Sequence, residues 1–247
     1  MGISIEVKNT SIESSKLAAE IVKEVLINPK TKVIGLATGS SVIRLYNLLV
    51  KAYKLGEIDF SLIHTFNLDE YYKIDPSYSL SYRYFMDNHL FYHINIPKEN
   101  INFLNGNAKN PLDECENYEK KIKSLKGLDC QILGIGVNGH IAFCEPYSAF
   151  DSKTSLVKLS EETINQNSDG RFFKNEDEVP KYALTMGIKT IMEAKKIIVL
   201  ANGQRKALAV KQAIEGPITN AIPASILQKH NDVTWVLDQD AASGIKS

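Results

Sequence analysis

The sequence has few cysteines: Cys115, Cys130 and Cys144, an odd number without a CxxC pair. That excludes a disulfide scaffold and a thiolate zinc site, and it fits reduced thiols in a cytosolic protein. No apolar run approaches the roughly 20 residues that span a bilayer. Residues 1–6 lack the charged–apolar–small order of a leader peptide, and nothing after Gly2 matches a myristoylation signal, so a cytoplasmic location is expected. Net charge is absent, with 29 Lys+Arg against 29 Asp+Glu in 247 residues. Nucleic acid and membrane surfaces therefore find no bulk field to bind, and any anionic partner needs a local site. Metal-ligand spacing is missing too. Of the five histidines only His89 and His93 stand four apart, without a third ligand, so no metal is expected. Linkers, repeats and low-complexity segments are absent, and one domain over residues 1–247 is the simplest organisation.

What is present is an alternation of apolar runs and helical periods. Residues 11–26 place Leu17, Ala18, Ile21, Val22, Val25 and Leu26 at helical spacing. Buried strands are predicted over 32–37, 62–66, 130–135, 196–201 and 234–238, with a further strand at 156–159. Helices are predicted over 79–92, 112–125 and 188–192, after Ser41 through Leu45, Leu48, Leu49 and Ala52, after Lys206 to about Ile214, and over 224–229. This order implies an α/β fold: a doubly wound, largely parallel sheet with helices on both faces, a Rossmann-like three-layer sandwich.

The chemistry gathers where strands end. Strand 130–135 runs into Gly134, Gly136 and Gly139, then His140 and Glu145, with Pro146 as a stop. Ligands of open α/β sheets bind at such carboxyl ends, and a histidine with a carboxylate nearby can move protons near neutral pH. Gly134-x-Gly136-x-x-Gly139 also matches the dinucleotide fingerprint. Pro146 comes too soon for the long helix that fingerprint opens, and the acidic pair Glu161-Glu162 follows a helix-capping Ser160, so a nicotinamide enzyme is disfavoured. Thr38-Gly39-Ser40-Ser41, between a strand and a helix, suits an anion through backbone N–H groups and hydroxyls, although simple capping by Ser40 or Ser41 would explain it as well. Gly203 to Lys206 repeats the arrangement with a basic side chain. Asp69-Glu70 at another strand end offers carboxylates for proton transfer, against the plainer reading of a solvated turn. Cys144 inside the glycine–histidine stretch is a conceivable nucleophile that no second motif supports.

Read together, residues 35–41, 65–71, 133–146, 171–173, 179–187 and 204–208 resemble the glucosamine-6-phosphate deaminase/isomerase family, in that family's order and over nearly the whole chain. The resemblance implies conversion of an amino-sugar phosphate to fructose-6-phosphate and ammonia, without an organic cofactor. It implies Asp69 as the base between C2 and C1, His140 as the ring-opening acid/base, and Asn138 and Glu145 beside it. Thr38, Gly39, Ser40, Ser41, Arg171 and Lys206 would hold the phosphate. Three departures stand out. Val42 replaces a usual proline, and Ala142 and Cys144 replace a usual glycine and asparagine. The chain also ends soon after its last strand, so the allosteric site of longer relatives is not expected. Monomer and homo-oligomer both remain open. The alternatives are the same reaction on galactosamine-6-phosphate, 6-phosphogluconolactonase, and a sugar-phosphate sensor without catalysis.

Overall fold

The computed structural model describes residues 2–246 except 169–172, 174, 176 and 177. Among these, ten strands and eight α-helices are defined. The first half comprises β1 (Ile3–Lys8), α1 (Ser11–Ile27), β2 (Val33–Leu36), α2 (Ser40–Lys54), β3 (His64–Asn67), β4 (Asp69–Tyr71), α3 (Tyr82–His89), β5 (Ile101–Asn102) and α4 (Pro111–Ser124). The second comprises β6 (Cys130–Leu133), β7 (Ser155–Lys158), α5 (Glu161–Asn167), β8 (Tyr182–Thr185), α6 (Ile188–Met192), β9 (Ile197–Ala201), α7 (Ala207–Glu215), β10 (Val233–Asp238) and α8 (Gln239–Ala242).

The main sheet has seven strands in the order β1-β10-β9-β6-β2-β3-β5, and every pairing is parallel. β9 and β10 are buried at every residue, which requires cover on both faces and accounts for their unbroken apolar character. The chain moves from β2 outward to β3 and β5, then returns to β6 on the other side of β2. The crevice at this reversal, between the carboxyl ends of β2 and β6, is where doubly wound sheets bind ligands.

A second sheet was not expected from the sequence. It is antiparallel, in the order β4-β8-β7. Its strands are short, and β4 carries Asp69, Glu70 and Tyr71 where an exposed turn was the plainer reading; all three are buried. Alternation sorts its side chains. Tyr71, Ala183 and Val157 share one face and join Phe143 in a small aromatic core. Leu184 and Leu156 take the other face, packed into the main core. Asp69 thus lies on the Phe143 side and Glu70 on the opposite side.

Other differences are local. The helix predicted over 79–92 is confined to Tyr82–His89, begun by Ser81, whose hydroxyl accepts from Tyr84 N at 3.0 Å. Leu90 leaves the helical region (φ −141°, ψ −62°), so His89 and His93 do not share a helix face. The outer strands β1 and β5 add to the five expected in the main sheet. β1 pairs with β10 from the far end of the chain, a contact that no local pattern announces.

Candidate active site

Four strand ends meet at the carboxyl edge of the main sheet. After β2, Gly39 adopts φ +114°, a conformation a side chain would strain, and Ser40 begins α2. No side chain caps this helix, which removes the capping explanation for Ser40 and Ser41 and leaves its first N–H groups directed at the crevice. Tyr46, fully buried, fixes the loop by donating to Ala37 O at 2.5 Å. After β9, Gly203 (φ +87°) is held by Asp238, whose carboxylate accepts from Gly203 N at 2.9 and 3.1 Å. Lys206 follows. Burial, then the charge of Arg205, lower its pKa, and no carboxylate pairs with it among the described residues. A half-buried lysine without a counter-ion is suited to an anionic ligand. The loops after β2 and β9 flank β6, so they stand about 10 Å apart by strand spacing. Between them is Gly134, and no atom lies within 4 Å of where its Cβ would be. The floor between the two arms is therefore bare backbone.

The loop after β6 holds the second cluster. Gly139 (φ +83°) turns the chain, and Gly136 N donates to His140 O at 2.8 Å. The imidazole of His140 lies on Gly136: a Cβ there would meet its ring atoms at 2.3–2.5 Å, so only glycine fits. Asn138 Oδ1 accepts from His140 N at 3.2 Å and sits 2.7 Å from His140 Nδ1. Asn138 Nδ2 donates to Glu145 Oε2 at 3.2 Å, so Oδ1 is the acceptor and Nδ1 of His140 carries the proton. Proton exchange then falls to Nε2. Glu145 is 3.7 Å from Nδ1 and orients the ring mainly through Asn138. Its other oxygen accepts from Ser160 Oγ at 3.2 Å and from Thr163 Oγ1 in a short contact. Ser160 also caps α5, as expected. Thr163 was not foreseen; its signal was the Ser-x-x-Thr spacing at the cap.

Asp69 approaches this loop through the second sheet. It stands opposite Thr185 in the β4–β8 ladder, and Thr185 Oγ1 accepts from Phe143 N at 3.1 Å. Burial, then the charge of Glu70, push its pKa up to about 8. A carboxyl poised there can take up and return a proton near neutral pH. Around it Tyr82 stacks on Phe143, 5.9 Å between centroids at 9°, and Tyr71 lies 4.9 Å from Tyr82. Arg171, the remaining phosphate ligand expected from the sequence, lies outside the described residues.

Two of the departures resolve as backbone and packing effects. Ala142 adopts φ +52°, where glycine is cheaper by about 1 kcal/mol. Cys144 packs with Ile188 and Ile226 and donates to Met186 O at 3.3 Å. Burial, then Asp69, push its thiol up to about 12, which ends its candidacy as nucleophile. Burial also raises Cys115 to about 11 and Cys130 to about 12. The folded protein should therefore take up no adduct detectable by mass spectrometry after an hour with iodoacetamide at pH 7.5. Rapid inactivation with labelling of Cys144 would place that thiol in an open site.

Comparison with known proteins shows the family. Residues 8–235 match the family model for glucosamine-6-phosphate isomerases/6-phosphogluconolactonase. A glucosamine-6-phosphate deaminase of Clostridium novyi (strain NT) is 54% identical over 94% of this chain and 95% of its own. One from Thermoanaerobacter sp. (strain X514) is 51% identical over 94% and 90%. A solved monomeric glucosamine-6-phosphate deaminase superposes with a TM-score of 0.94 at 39% identity, covering 98% of this chain and all of that one. A 6-phosphogluconolactonase from Trypanosoma cruzi shares the fold at a TM-score of 0.79 and 20% identity.

Proposed function

The chain belongs to the family of glucosamine-6-phosphate isomerases and 6-phosphogluconolactonases, and we propose that within it the protein is a glucosamine-6-phosphate deaminase, releasing ammonia and fructose-6-phosphate. The observation that carries this reading is Asp69, buried beside the His140 loop with its pKa raised to about 8. Lactone hydrolysis has no use for a base between adjacent carbons; aldose–ketose isomerisation requires one. A sensor without catalysis would need neither this base nor the ordered His140–Asn138–Glu145 chain.

The proposed steps use the groups named above. The phosphate is held by the N–H groups and hydroxyls of Thr38, Gly39, Ser40 and Ser41, by Lys206, and by Arg171. Nε2 of His140 passes a proton to the ring oxygen as the sugar opens, with Nδ1–H fixed on Asn138. Asp69 removes the proton from C2 and returns it at C1, while a proton passes from the substrate nitrogen to O1, giving a C2 imine that water hydrolyses to ketone and ammonia. The substrate's ammonium, next to C2, favours the ionised form of Asp69 on binding. Both proton-moving groups, His140 and Asp69, are side chains of this protein, and no organic cofactor is needed for either step. The reduced, buried state of all three cysteines supports a cytoplasmic setting. Among the described residues, no helix is long and apolar enough to cross a membrane.

Ammonia release from glucosamine-6-phosphate, with galactosamine-6-phosphate in parallel, tests the reading. Faster release from the gluco sugar is expected. Preference for the galacto sugar would keep the mechanism and change the substrate, and release from neither would end the proposal. Lys206→Ala should raise KM by about 10- to 100-fold while changing kcat less, the worth of one charge-assisted bond to a phosphate. An unchanged KM would remove Lys206 from the phosphate site.

A further inference from the structure

Glu70 adjoins the base, yet the reaction above does not use it. It is 2% exposed, and its carboxylate does not point toward the sugar, because strand alternation sends it to the face opposite Asp69. There it accepts three backbone N–H groups. Oε1 receives Tyr71 N at 2.9 Å and Tyr82 N at 3.0 Å; Oε2 receives Arg83 N at 2.9 Å. Tyr82 and Arg83 are the first two residues of α3, and Ser81 Oγ takes the N–H of the third, Tyr84. The start of α3 is therefore bound to β4 by a side chain that is also the sequence neighbour of the catalytic base.

From that anchor α3 reaches across to the other face. Tyr82 lies parallel to Phe143 and packs on Tyr71, with the two hydroxyls 3.4 Å apart. Phe143 sits in the loop between His140 and Glu145, and its N–H is bound by Thr185, the ladder partner of Asp69. A closed circuit results: Asp69, Glu70, α3, Tyr82, Phe143, Thr185 and back to Asp69.

We propose that Glu70 is a positioning residue for the reaction: by fixing the start of α3 to β4 it holds the Tyr82–Phe143 plate, and with it the loop bearing His140 and Glu145, in register with Asp69. The inference rests on the deaminase reading. A carboxylate is required here, since three N–H donors converge on two oxygens. Glutamine would turn an N–H₂ toward one of them and leave two donors face to face. Aspartate is too short to reach both α3 and Tyr71.

The charge of Glu70 has a second consequence. Burial first pushes its own pKa up to about 7, opposed by the Tyr82, Arg83 and Tyr71 N–H groups and the Arg83 guanidinium. Arg83 is itself paired with Asp87 at 3.0 Å. When ionised, Glu70 raises the pKa of Asp69. Among the described residues, Tyr71 on its own strand, Tyr82 on α3, Tyr118 on α4 and Cys144 in the loop also interact with Asp69, and all four stay neutral near pH 7 because burial raises them. Among these, Glu70 is the group whose charge shifts the base. The base works ionised, so activity is lost as pH falls through its pKa. Removing the Glu70 charge lowers that pKa and moves the acid limb of kcat/KM to lower pH.

The experiment compares Glu70→Gln with wild type in steady-state kinetics from pH 5 to 9. A kcat lowered about 30- to 100-fold is expected, with KM for glucosamine-6-phosphate within threefold, because the phosphate arms stand on other strands. The acid limb should move to lower pH; a limb that stays in place in Tyr82→Ala, which opens the same packing but keeps the Glu70 charge, separates lost charge from lost burial. Wild-type kcat with an unmoved limb, or a loss carried wholly by KM, would overturn the proposal. Tyr82→Ala keeps every bond to Glu70 and removes only the plate, so it decides the matter if Glu70→Gln does not fold. It should lower kcat about 10-fold with the limb in place, and Tyr82→Phe should recover most of that loss. Wild-type kcat in Tyr82→Ala would break the circuit and the proposal. An inactive wild type would overturn the deaminase reading, and this inference with it; an active wild type matched by both variants would overturn this inference alone.

Discussion

Asp69→Asn should lower kcat by about 10³-fold, within the range lost when a general base is removed, while KM for glucosamine-6-phosphate changes less than threefold. The amide keeps the shape of the carboxylate and cannot accept a proton. Asp69 makes no phosphate contact in this reading, and the arms on the β2 and β9 loops are unchanged by the substitution, so binding survives. The same substitution should raise stability. The pKa of Asp69 rises from 3.8 to about 8 on folding, because burial and then Glu70 disfavour its charge. A raised carboxyl pKa means the folded state prefers the proton. Its contribution is complete below the unfolded pKa and is lost as pH rises through the folded one. The wild type is therefore strained by this charge above about pH 8, and Asn removes the strain. Thermal melts should show little difference between the two proteins at pH 4 and a higher Tm for Asp69→Asn at pH 9. Near-normal turnover would exclude Asp69 as the base, and a lower Tm at pH 9 would contradict its burial as a charge. The expected pattern, activity lost and stability gained, is that of a site where function is held against the fold.

The parallel sheet was legible because its inner strands carry long apolar runs: Lys196 to Ala201 and Cys130 to Ile135 can only be buried on both faces. The crevice was legible because each run stops at glycine or a hydroxyl. The antiparallel sheet was harder to read. β4 is three residues long, and two of them are acidic, which locally describes a turn. Only pairing with β8, more than a hundred residues later, makes it a strand. For the same reason Asp69 and Glu70 looked alike in sequence. Their opposite roles come from alternation on a strand that no local pattern reveals. Asn138 was visible as a neighbour of His140. Its place between His140 and Glu145 depends on the Gly139 turn and needed coordinates.

His140→Ala should be the second large loss, about 10²- to 10⁴-fold in kcat, and it should be reversible by added imidazole. The ring of His140 lies on bare backbone at Gly136, and its removal leaves a slot of imidazole shape with no side chain able to collapse into it from that glycine. Asn138 Oδ1 remains in the slot, held there by the donation of Asn138 Nδ2 to Glu145, and presents the acceptor that fixed Nδ1–H in the wild type. Free imidazole entering the slot would be oriented by the same contact, with its second nitrogen toward the ring oxygen. The rate should climb with imidazole concentration and saturate. The phosphate arms are untouched, so KM should stay near wild type. Gly136→Ala combined with His140→Ala should abolish the rescue, because the added methyl occupies the position where the ring sat, 2.3–2.5 Å from its atoms. Spontaneous opening of the sugar sets the residual rate in the absence of imidazole, so that residue should be nearly independent of pH around neutrality. A variant keeping more than a tenth of wild-type kcat would mean that another group opens the ring. Loss without rescue would mean that His140 supports the loop and leaves the proton to other hands.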